Sequence, residues 1–148
     1  MDGVCEGSEN VTKDELKQKL RSAYGLQKQL EAEFVTLQNL KDVANKVTPA
    51  YSLAPGGGGT GQRIENATAK IVDLENSIRQ DFENLVAALT EIRKLINGVD
   101  DILLRSVLHM RYLNYQKWEV IAVNLNYDIR WIHKLHSRGL SAILKKSS

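Results

Sequence analysis

Between Ile64 and Ile96 an apolar residue returns every three or four positions for more than four heptads: Ile64, Ala67, Ile71, Leu74, Ile78, Leu85, Leu89, Ile92 and Ile96. Only Asp81 interrupts the series, with Phe82 beside it. That period puts every apolar side chain on one stripe of a helix. A helix of this length has no core of its own, so the stripe must be covered by another helix.

The cover is available upstream. Leu16, Leu20, Ala23, Leu30, Phe34, Leu37 and Ala44 follow the same spacing, with polar Gln27 and Lys41 in two seam positions. Thr12-Lys13-Asp14-Glu15 fits a capping box, and Val11 and Leu16 are spaced as a hydrophobic staple, so this helix is expected to start at Thr12. It is expected to end before Thr48-Pro49, because the residue preceding a proline is pushed out of helical geometry. Residues 49–62 hold both prolines of the chain and the run Gly56-Gly57-Gly58-Gly59-Thr60-Gly61, which reads as a connecting loop. No Gly-Lys-Ser/Thr follows the glycines, so they do not make a phosphate loop. Residues 12–98 thus read as an antiparallel coiled-coil hairpin, closed at Asn97-Gly98, and residues 1–11 as a disordered tail.

Charge divides the chain at the same place. Residues 99–148 carry eight Lys and Arg against four Asp and Glu, a net of +4, whereas residues 1–98 carry twelve against fourteen, a net of −2. A basic C-terminal end suits a polyanion, and an acidic helical pair suits solvent or protein partners.

In this basic part Asp100 or Asp101 can cap a third helix carrying Ile102, Leu103, Val107, Leu108 and Met110 to Leu113. After Asn114-Tyr115-Gln116 a fourth spans Lys117 to Leu125. Asn126-Tyr127 makes a turn in which Asn126 can adopt the left-handed conformation, and Asp128 caps a fifth helix reaching about Leu144. Two helices separated by about three residues, the second of them basic, form a helix-turn-helix pattern. With Ile132, Leu135, Gly139 and Ile143 inward, Arg130, Lys134, Ser137 and Ser141 face outward and His133 and Arg138 lie on the flanks. These residue types read base edges and hold phosphates in a major groove. Trp131, on the first turn of that helix, could meet a thymine methyl or pack on the preceding helix. Trp118 reads as a packing residue.

Leu108-His109-Met110-Arg111-Tyr112-Leu113, Trp118-Glu119-Val120-Ile121-Ala122, Leu125-Asn126-Tyr127 and Ile132-His133-Lys134-Leu135-His136-Ser137-Arg138-Gly139-Leu140 together resemble region 4 of bacterial sigma factors. Phage regulators of the ArpU and RinA type share this layout. So does an uncharacterised phage family with a long helix, a glycine-rich loop and a segment like Ile64-Glu65-Asn66-Ala67 and Ile71-Val72-Asp73-Leu74-Glu75. The chain departs from the pattern at Lys117, where Thr or Ser usually caps; at Asn126, where glycine is common; and at Gly139, where alanine is typical.

The fold expected is therefore all-α: a coiled-coil hairpin over residues 12–98, then a sigma region 4-like domain over residues 99–148. The resemblance implies a sequence-specific transcriptional regulator of phage or prophage type. Its DNA contacts would come from Arg130, Trp131, His133, Lys134, Ser137 and Arg138. Double-stranded DNA is the expected partner, with RNA polymerase a further candidate and a homo-oligomer expected through the coiled coil. Two alternatives remain open: a DNA-packaging protein like small terminase subunits, and a coiled-coil adaptor whose helix-turn-helix binds protein.

Other classes find little support. His109, His133 and His136 lack the cysteines or carboxylates that would complete a zinc site, so no metal or cofactor is expected. No nucleophile and base are spaced for catalysis, which argues against an enzyme. Cys5 is the only cysteine, and no apolar run approaches ~20 residues, so a bacterial cytoplasmic location without membrane contact is expected.

Overall fold

In the computed structural model, residues 2–53 and 58–147 are described, with side chains described over residues 12–46 and 61–146. The chain is all-helical: α1 (Asp2–Leu53), α2 (Gly58–Asn97), α3 (Ile102–Tyr112), α4 (Trp118–Leu125) and α5 (Ile129–Ser147), with no strand among the described residues. None of these helices is long and apolar enough to cross a membrane.

The ends of the two long helices differ from the sequence expectation. α1 begins at Asp2, so the Thr12 capping box lies inside a helix and residues 2–11 are helical rather than a disordered tail. α1 also runs through Pro49 to Leu53, and α2 already includes Gly58 to Gly61, which leaves only residues 54–57 of the expected 49–62 loop outside the described residues. Helix propagation explains this pattern. Once a helix is nucleated each further residue adds a hydrogen bond, and an interior proline or glycine weakens the helix without having to end it. At the other end α2 stops at Asn97 as expected, with the Gly98 amide bonded to the Lys94 carbonyl at 3.1 Å.

Packing groups the chain differently from the division at residues 98 and 99. One compact unit contains Met1–Gly25 with Val86–Ser148, and the other contains Leu26–Leu85.

In the Leu26–Leu85 unit α1 and α2 run antiparallel. Gln29 donates to Asp81 at 3.4 Å, and further along α1 Lys41 meets Glu75 at 3.3 Å, earlier on α2. Glu75 thus forms its ion pair across the two helices. Leu30, Leu37, Ile78 and Leu85 are buried between the two. On α2 the inward positions are those the spacing predicts, including a half-buried Asp81. On α1 the stripe shifts. Gln27, Leu30 and Glu33 follow two consecutive three-residue steps, so Glu33 and Leu40 become half-buried, while Phe34 is 51% exposed and Lys41 points outward. An extra three-residue step rotates the stripe around the helix, which takes Phe34 out of the seam expected to hold it.

The second unit holds α3, α4 and α5 with the first part of α1 and the end of α2. Val107, Ile121, Ala122, Ile132 and Leu135 form a buried cluster to which α3, α4 and α5 all contribute. Leu16, Leu20, Ala23, Ile92, Ile96 and Val99 are buried in the same unit. Of the two capping candidates Asp101 is the one used: its Oδ1 accepts from the backbone N–H groups of Leu103 and Leu104 at 2.9 and 3.1 Å. α3 packs closely on α5 at Gly139, where an added Cβ would stand 3.0 Å from Leu108 Cδ1 and 3.1 Å from its Cγ. The glycine that departs from the sigma pattern is what lets these two helices approach.

Candidate nucleic-acid interface

The turn between α4 and α5 is built by Asn126 at φ 61°, ψ 43°, the left-handed conformation that asparagine adopts more cheaply than most residues. The Tyr127 amide donates to the Ala122 carbonyl at 3.0 Å and the Asn126 amide to Val123 at 3.2 Å. This Schellman arrangement satisfies the last carbonyls of α4 within a very short connection. α5 starts immediately after Asp128, whose carbonyl accepts from the Ile132 amide at 3.0 Å. Lys117 precedes α4 without making a side-chain cap.

The orientation of α5 follows from its sequence period. Ile132, Leu135, Gly139, Leu140 and Ile143 are buried, so Arg130, His133, Lys134, Ser137 and Arg138 are all exposed. Lys134, Ser137, Arg138 and Ser141 join Ala142 and Lys145 around a shallow cleft of about 470 Å³, with no carboxylate in its walls. Three cations and two hydroxyls on one surface match the donor set that DNA phosphates accept. Lys13 of α1 adds to this surface, its Nζ 3.3 Å from Ser137 Oγ. Lys13 and Lys145 were missed in the sequence. Lys145 falls on the expected outer face beyond the boundary given to the helix, whereas Lys13 arrives by tertiary packing that no local pattern encodes.

Both tryptophans are half-buried against the α3–α5 cluster. The Trp118 ring lies 4.8 Å from that of His133 and 4.7 Å from that of His136, and Arg111 stacks on it with its guanidinium carbon 4.3 Å from the ring centre. Trp131 packs on the cluster, and the Arg138 guanidinium lies 4.9 Å from its ring centre. Arg138 is thus held by a cation–π contact on the exposed face of α5.

The three histidines have separate surroundings. His109 is exposed, His133 rests on Trp118, and His136 is buried with its Nε2 2.6 Å from the Tyr112 hydroxyl. Burial, followed by the positive charges of Lys17 and Arg111, neighbouring His133 and the charge of Arg21, lowers the pKa of His136 to about 4. The ring is therefore neutral near pH 7 and forms a polar link between α3 and α5. Comparison with protein-family models, with curated proteins and with solved structures finds no match for this chain.

Proposed function

We propose that this chain is a sequence-specific DNA-binding regulator of transcription, of the phage or prophage kind, with a sigma region 4-like helix-turn-helix whose α5 enters the major groove. The carrying observation is the outer face of α5. Immediately after a tight turn, Arg130, His133, Lys134, Ser137 and Arg138 are exposed together above a carboxylate-free cleft. Arg130 and Arg138 have the fork geometry that reads guanine edges, while Lys134, Ser137, Lys145 and Lys13 suit phosphates. Trp131 acts here through Arg138, by orienting its guanidinium.

The antiparallel helices of the Leu26–Leu85 unit serve association with further copies. Phe34, Val35, Val43, Val72 and Phe82 are large apolar residues exposed on them, and burial of such residues drives oligomer formation. RNA polymerase is the second partner to test.

The test is to sequence the genomic fragments retained by the purified protein and to titrate the recovered site at several salt concentrations. A common sequence motif is expected, with log affinity falling by ~0.9 per phosphate contact as log salt rises. Retention without a common motif, or binding indifferent to salt, defeats the reading.

A further inference from the structure

A second cleft, of about 510 Å³, opens in the unit formed by Met1–Gly25 and Val86–Ser148, between α1 and the segment from the end of α3 to the start of α4. Its walls carry Arg21, Tyr24, Arg111, Tyr112, Tyr115 and Lys117. No carboxylate lines it, and none of its three cations has an ion pair among the described residues. Arg111 is positioned from behind, donating to the Gln116 carbonyl at 3.0 Å and stacking on Trp118. Lys117, at the place where a helix cap would be expected, makes no side-chain cap and lines the cleft.

The aromatic side is equally specific. Tyr115 holds φ 57°, a left-handed conformation that costs a bulky residue roughly 1–2 kcal/mol. It sets the ring edge-to-face on Tyr24, with centroids 5.1 Å apart. The Tyr115 hydroxyl is buried without a hydrogen-bond partner. Burial raises the pKa of Tyr112 and Tyr115, at Tyr112 against the pull of Arg21 and Arg111, so both hydroxyls remain protonated near neutral pH. The Tyr112 hydroxyl is engaged with His136 at 2.6 Å, which leaves the Tyr115 hydroxyl as the one without a partner among the described residues.

We propose that this cleft is a binding site for a small organic phosphate that carries a flat ring, of the size of a nucleoside monophosphate. Guanidinium forks and an ammonium without anionic partners match a phosphate group. Tyrosine faces match a planar ring, and the volume lies within the range of small-molecule sites, well above the need of a bare phosphate ion. Tyr112 connects the cleft to α5 through His136, so occupancy is sensed at the helix that carries the basic face. The proposal concerns the free protein and stands whether or not α5 reads DNA.

The experiment is calorimetric titration of the full chain with adenosine 5′-monophosphate and guanosine 5′-monophosphate, with adenosine and inorganic phosphate as controls. Saturable one-to-one binding of a nucleotide is expected, at least about tenfold tighter than either control, because each control lacks one half of the ligand. Arg21 and Lys117 are exposed, so Arg21→Gln and Lys117→Gln preserve the fold and each should weaken nucleotide binding about tenfold. The same variants should bind a duplex DNA fragment within about twofold of the parent, since they lie off the α5 cleft. Absence of saturable nucleotide binding overturns the proposal, as does binding that both substitutions leave unchanged. Loss of duplex affinity in these variants without any nucleotide binding would make the cleft a seat for the DNA backbone, and would overturn it too.

Discussion

Two glycines in helices make the same substitution act with opposite signs. Gly25 lies inside α1 with nothing near the position of a Cβ, so Gly25→Ala should stabilise the protein by about 1 kcal/mol through helix propensity and a less disordered unfolded chain. Gly139→Ala gains the same propensity, but its methyl would stand 3.0 Å from the side chain of fully buried Leu108. Overpacking of that kind costs about 1–3 kcal/mol, so a net loss is expected. Urea unfolding of the two variants measures both signs, and stabilisation by Gly139→Ala would show that α3 and α5 are free to move apart. His136 gives a second test at this scale. Its folded pKa of about 4 lies below the ordinary 6.5, so the unfolded chain binds the proton more readily and acidification favours unfolding. Stability from this group is intact above pH 6.5 and is lost as pH falls toward 4. Between pH 7.5 and pH 5 the loss is roughly 2 kcal/mol. His136→Gln, which cannot titrate, should flatten that part of the stability profile.

At the scale of elements, the heptad spacing made α2 legible almost residue by residue, because its inward positions from Ile64 to Ile96 are those the three- and four-residue steps predict. The α1 stripe was legible through Leu30, and Leu37 and Ala44 also lie inward as expected, so that past Leu30 only Phe34 and Lys41 fail. The shift that favours Glu33 and Leu40 over Phe34 and Lys41 depends on the opposing helix, where Gln29, Glu33 and Asp81 share a polar layer. There the Gln29 amide is the largest influence on Glu33 and favours its charge, but partial burial and neighbouring Asp81 outweigh it and raise the carboxyl pKa. The two ends of α1 and the start of α2 were not legible, since capping and proline signals mark where a helix can stop and not where a nucleated helix must. The Asn126 turn and the inward face of α5 were readable because both rest on local geometry, whereas the cleft at Arg21 and Lys117 depends on chain segments far apart in sequence. The register of α1 can be checked directly. Leu37→Ala should cost about 2–3 kcal/mol, and Phe34→Ala, at an exposed position, less than about 1 kcal/mol. Equal costs in thermal denaturation would restore Phe34 to the seam. Leu85→Asp places an unpaired carboxylate in the same seam and should abolish most of the α1 and α2 helicity seen by circular dichroism.

For the whole molecule the decisive quantity is the placement of charge. The ion pairs of α1 and α2, such as Lys41–Glu75 and Lys28–Glu31, are exposed and neutralise one another locally. By contrast, the three cations of the α5 cleft share it with no acidic wall residue. An alanine triple variant of Arg130, Lys134 and Arg138 isolates that difference. All three residues are exposed, and Ile132 and Leu135 keep the helix docked, so melting temperature and oligomeric mass should remain near those of the parent. Removing Arg138 also uncovers Trp131, whose fluorescence should shift to the red and report that the surface has been stripped while the fold persists. Loss of one phosphate interaction flattens the slope of log affinity against log salt by ~0.9, and loss of a bidentate hydrogen bond to a base costs ~1–3 kcal/mol with relaxed preference at that base. Binding to the selected site should therefore fall by about two orders of magnitude or more, with a shallower salt dependence. A variant that is folded, shows the tryptophan shift and still binds that site with the parent's affinity and slope would remove α5 from the interface, and with it the case for DNA recognition by this helix.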